Sequence, residues 1–74
     1  MRRYNIEMPN ILLNGESREL RAGITVVDLL QAAGFAGRKV AVEINREIVP
    51  KSAHAERLIA EGDRIEIVHA MGGG

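Results

Sequence analysis

The chain closes on Gly72-Gly73-Gly74, directly after an apolar run, and this segment is the one best suited to chemistry. Three glycines bury no side chain and lose more conformational freedom on ordering than other residues. They form a thin peptide able to pass a slot too narrow for a Cβ atom, as entry into a partner's active site requires. Met71 and Ala70 lead into it. The group such a peptide delivers is its terminal carboxylate. A carboxylate is inert as an electrophile, because oxide or hydroxide would have to leave. An acyl-adenylate has a good leaving group, and sulfide or a persulfide can convert it to a thiocarboxylate with a nucleophilic sulfur. That route needs a terminal glycine, ATP and an activating enzyme, and no catalytic side chain in this chain.

The other reactive side chains are poorly placed for chemistry. His54 and His69, the two histidines, stand without cysteine or a carboxylate motif at metal-ligand spacing, so no metal site is expected. Glu61 and Asp63 flank Gly62 and read as a solvated turn, with nothing apolar arranged to shift a pKa. Ser17 and Ser52 have no neighbouring base. With 74 residues there is little room for a deep pocket, so an enzyme acting alone is the least favoured reading.

Composition narrows the field further. Hydrophobic residues are 46% and charged residues 27%, as in one ordinary small globular domain. Ten Lys+Arg balance ten Asp+Glu, four of each sign up to Gly37 and six of each after it. No basic face of the kind a phosphate backbone demands is expected, and so no nucleic-acid partner. The absence of cysteine excludes a disulfide-stapled scaffold, a thiolate metal site and a thiol nucleophile. Residues 1–9 carry no apolar signal segment, and no run approaches the ~20 apolar residues of a membrane span. The expected location is the cytoplasm, away from membranes.

The elements that must present the tail can be read from local patterns. Residues 1–9 form an N-terminal extension, with Met8 a plausible start. Asn10–Asn14 reads as a strand, Gly15-Glu16 as a turn, and Ser17–Arg21 as a short polar hairpin partner, broken by Ala22-Gly23. Thr25 is a natural helix N-cap, with Asp28 closing a shortened capping box and Ile24 placed to staple onto Leu29. Val26, Leu29, Leu30 and Ala33 share one face, and Gly34 offers a left-handed C-cap followed by Phe35. Arg38–Asn45 alternates with Val40, Val42 and Ile44 on one side. Glu47–Val49 is a short strand closed by Pro50, 51–58 holds one helical turn, and Arg64–His69 is the last strand with Ile65 and Ile67 inward. One helix across one face of a mixed four- to five-stranded sheet is the economical way to bury these stripes. The expected fold class is therefore α+β, of the β-grasp or ubiquitin-like type, over residues 10–69, with 70–74 a flexible tail.

Three segments resemble a known family. Val40–Pro50 and Glu61–Gly74, together with the opening Asn10-Ile-Leu-Leu-Asn-Gly-Glu, look like the corresponding parts of the ThiS family, the sulfur carrier proteins of thiazole (thiamine) biosynthesis. The resemblance spans residues 10–74 and departs at Glu61, where the family commonly has Asp. It implies a β-grasp fold and a functional terminal glycine, Gly74, preceded by Gly73. It further implies that a ubiquitin-activating-like adenylyltransferase, using ATP and magnesium, activates Gly74. A persulfide-bearing donor would supply the sulfur, and thiazole synthase would receive it. No cofactor would be bound by this chain. Two other readings remain: the small subunit of molybdopterin synthase, with the same chemistry, and a ubiquitin-like binding module whose tail is never activated.

Strand parity turns Val68, Ala41 and Leu12 away from the core side, and Ala70 and Met71 continue outward. Such a patch beside the tail is the expected docking surface for the activating enzyme or the synthase.

Overall fold

The computed structural model describes residues 8–69. Five strands, β1 (Asn10–Leu13), β2 (Glu16–Glu19), β3 (Val40–Ile44), β4 (Glu47–Val49) and β5 (Arg64–His69), form one sheet in the order β2-β1-β5-β3-β4. One helix, α1 (Val26–Ala32), crosses one face. β1 and β5 pair in parallel at the centre, and the β1–β2, β3–β4 and β3–β5 pairs are antiparallel. This is the expected α+β, β-grasp arrangement, with the last strand as the central one.

The helix forms where local signals agree. Thr25 Oγ1 accepts from the Asp28 amide at 3.2 Å, and Asp28 Oδ2 accepts from the Thr25 amide at 2.9 Å, the reciprocal capping box. Its end is a Schellman motif: the Phe35 amide donates to the Leu30 carbonyl at 2.7 Å and the Gly34 amide to Gln31 at 3.2 Å. Gly34 sits at φ +87°, a conformation that favours glycine. Val26 and Leu29 are fully buried, while Leu30 and Ala33, expected on the same face, are only half-buried at its border.

Two hairpins differ in detail from the sequence expectation. The first turns on Asn14 (φ 51°) and Gly15 (φ 87°) rather than Gly15-Glu16, the two-residue geometry that matches strand twist. Glu16 thereby joins β2, which ends at Glu19 instead of Arg21. Pro9 is buried, and its carbonyl accepts from Leu20 at 2.9 Å. The second turns on Asn45 (φ 53°) and Arg46 (φ 70°). β3 starts at Val40 rather than Arg38, because the Arg38 amide is engaged by the Phe35 carbonyl at 3.0 Å. The helical turn expected within 51–58 is a short 3₁₀ turn, Lys51–Ala53.

Ile11, Leu13, Val26, Leu29, Val42, Ile44, Val49, Ile59, Ile65 and Ile67 make the core. Asp63 corrects the expected solvated turn: it is only 6% exposed. Its Oδ1 accepts from Asn45 Nδ2 at 3.0 Å, and its Oδ2 accepts from the Ala60 amide at 2.8 Å. The Arg57 guanidinium lies 3.5 Å from Oδ2. Glu61 does remain exposed, and its carboxylate accepts from the Asn10 amide at 3.0 Å. His54 is buried, with Nε2 donating to the Val49 carbonyl at 3.0 Å, a structural bond that ties the 3₁₀ turn to β4. His69 is exposed, with its ring centroid 5.7 Å from that of Phe35.

Candidate functional site

The site is built around the strand from which the tail departs. β5 is flanked on both sides, by β1 over Arg64 and Ile65 and by β3 from Ile65 to His69, so that His69 lies opposite Val40. Ala70, Met71, Gly72, Gly73 and Gly74 lie outside the described residues. A central strand is the firmest mount available in a small sheet, since both edges are bonded.

Two asparagines reinforce it. Where β1 turns away after Leu13, the Asn14 side chain reaches across, and its Oδ1 accepts from the Ile67 amide at 2.8 Å. The Asn14 amide donates to the Ile65 carbonyl at 2.8 Å. The side-chain carbonyl thus stands in for the next backbone rung of the parallel ladder. At the other end of β5, Asn45 Oδ1 accepts from the Arg64 amide at 3.0 Å. Asn14→Gly keeps the left-handed turn and removes the Ile67 bond. A bond of this kind contributes about 1 kcal/mol. Hydrogen exchange at the Ile67 amide is expected to lose roughly fivefold more protection than at Ile65, measured by NMR. Equal changes at both amides would rule out a local latch.

Of the sequence-predicted partner residues, the face of the sheet opposite α1 carries Val68, Ala41 and Leu12. Ala41 is directly paired with Val68, which is 58% exposed. Leu12, on the same face, is paired with Arg64, so Glu66 stands between it and Val68 along β5. Sequence reading missed Ile48, the most exposed large hydrophobic among the described residues at 66%, which lies opposite Glu43. Its parity relative to buried Val49 was the available signal. Glu43 in turn faces Glu66 across β3 and β5. The patch is therefore apolar at Val68, Ala41, Ile48 and Leu12, with two opposed carboxylates within it. Among the described residues no three His, Asp or Glu side chains converge as a metal would need, and no helix is long and apolar enough to cross a membrane.

The sequence model of the ThiS family matches residues 11–74, which takes in the first strand, the whole fold and the glycine tail. The chain belongs to the ThiS family. The sulfur carrier protein ThiS of Escherichia coli K12 is 33% identical over 64 residues, covering 86% of this chain and 97% of that protein. A thiazole synthase of Paramagnetospirillum magneticum is 50% identical over 64 residues, 86% of this chain. The chain spans only 20% of the length of that synthase, and the same share of the Magnetococcus marinus thiazole synthase that it also matches. A crystal structure of the thiamine biosynthesis protein ThiS from Geobacter metallireducens superposes with a TM-score of 0.74 at 31% identity, covering 88% of this chain and 99% of that one. The ThiS-family β-grasp fold is thus established by sequence and by shape.

Proposed function

We propose that this ThiS-family chain is a sulfur carrier of thiamine biosynthesis, acting as a co-substrate rather than an enzyme. The observation that carries the reading is the family match that extends to Gly74. Its carboxylate attacks the α-phosphate of ATP on a ubiquitin-activating-like adenylyltransferase, with magnesium, and pyrophosphate leaves. A persulfide on a donor enzyme displaces AMP to give an acyl disulfide. A thiol then attacks the donor's sulfur, forming a disulfide with the donor and releasing the Gly74 thiocarboxylate, and thiazole synthase takes the sulfur. Similarity to thiazole synthases favours this destination over molybdopterin synthesis. ATP and magnesium belong to the partner.

Intact mass after incubation with ATP, magnesium, the adenylyltransferase and a persulfide donor tests the reading. The expected product is heavier by the difference between sulfur and oxygen, and fragmentation places the change at Gly74. Unchanged mass with demonstrably active partners would overturn it.

The exposed sheet face is the proposed docking surface for these enzymes. Val68→Glu places a charge in its apolar part without touching the core. Contacts at the centre of an interface are commonly worth more than 1 kcal/mol. The KM for the carrier in adenylation should rise about tenfold with kcat and the melting temperature unchanged. An unaltered KM would remove this face from the interface.

A further inference from the structure

We infer a second docking surface, on the helix side of the molecule, that takes an acidic segment of a protein partner. An open groove of about 650 Å³ runs between the outer face of α1, the 35–40 loop and the 3₁₀ turn. Its floor is apolar, with Val27, Leu30, Phe35 and Val40, and its rim carries Arg38, Lys39 and Lys51. Among the described residues no carboxylate lines it. Among the described residues the one ion pair is Arg57–Asp63, so within them none of the three rim cations is ion-paired. The chain as a whole has no net charge. Three cations with no ion pair among the described residues stand on one side, and opposed Glu43 and Glu66, with Arg64 beside Glu66 on the same face, stand on the other.

That combination selects an occupant. His54, the groove's buried polar side chain, already donates to the Val49 carbonyl, so the floor offers no unsatisfied group for catalysis or metal binding. Apolar floor and cationic rim together complement a peptide with one large apolar side chain between carboxylates. The groove also adjoins the start of the tail: Val40 in its wall pairs with His69, and Phe35 packs against the His69 ring. A partner seated there grips the carrier beside the tail while leaving the Val68 face free. One enzyme could hold the chain from the helix side as another holds the sheet. The inference rests on the carrier reading only for the identity of the partners, since binding itself needs no activated tail.

The test uses the full chain and a fluorescein-labelled peptide with Glu residues flanking a single Phe, read by fluorescence anisotropy. Binding is expected, at least tenfold weaker for the same peptide with Gln in place of Glu. It should also weaken at least tenfold with Arg38→Glu combined with Lys51→Glu, both exposed positions. Glu43→Lys, on the opposite face, should leave it unchanged. If the double variant does not fold, the salt dependence of the wild-type chain decides: affinity must fall steeply between low and high salt. No binding, equal binding of the Gln peptide, or salt-independent binding would overturn the proposal. Complete displacement by inorganic phosphate would make it a small-anion site instead. Concentration-dependent dimerisation lost in the same double variant would assign the groove to a second copy of the chain. None of these outcomes depends on sulfur loading at Gly74, so failure here and failure of the carrier reading are separable.

Discussion

A chain lacking Gly74 is expected to acquire no sulfur, with its rate of adenylation lowered by at least ~100-fold. The carboxylate would then belong to Gly73 and sit one residue, at most about 3.6 Å, short of its position on the intact chain. Displacing a reacting atom by about 1 Å already costs on the order of 100-fold, because the entropy advantage of a positioned nucleophile is lost. The globule is untouched by the deletion, since the core residues lie between Ile11 and Ile67. Melting temperature and affinity for the adenylyltransferase in the absence of ATP should therefore hold. Pyrophosphate release measured with intact and shortened chains checks the rate, and mass spectrometry checks the sulfur. Equal rates would show that adenylation does not depend on Gly74, and no pyrophosphate release from either chain would make it a ubiquitin-like binding module whose tail is never activated.

The second large effect concerns the globule that carries the tail. Leu29→Ala should lower stability by about 3 kcal/mol, the usual cost of emptying a buried leucine site. Leu29 has no exposed surface and lies on the buried face of α1 in the core cluster. A domain of this size holds only about 4–11 kcal/mol in total. In urea, with a slope of about 1 kcal/mol per molar, the unfolding midpoint should fall by about 3 M with the slope unchanged. Leu58→Ala is the control: Leu58 is 54% exposed, and its loss should cost less than about 0.5 kcal/mol. Equal midpoints for the two variants would show that α1 is not the keystone of the core.

How far these features could be read in advance depends on the distance over which each is determined. The helix was legible because its signals lie within ten residues: Thr25 and Asp28 cap one end, and Gly34 and Phe35 close the other. The alternation of β3 and β5 was equally local. The first turn was misplaced by one residue because Asn14, like Gly15, adopts the left-handed conformation, and a short polar strand has little pattern to resist the shift. Asp63 was misread for a different reason. Its amide partner is Asn45, eighteen residues away, and its cation is Arg57. Nothing near Asp63 in sequence announces either contact. His54 likewise owes its burial to the way the 3₁₀ turn folds over β4.

The chain itself therefore determined the elements, their inward faces and the family, because each depends on periodicity, capping or a contiguous motif. Tertiary structure alone decided that β5 lies at the centre, parallel to β1 and antiparallel to β3. It also decided that Asn14 bonds to Ile67 fifty-three residues on, that Ile48 joins Val68 on the open face, and that the cations of two separate loops rim one groove. Those arrangements come from burying two hydrophobic faces against each other, and that packing selects among neighbours far apart in the chain.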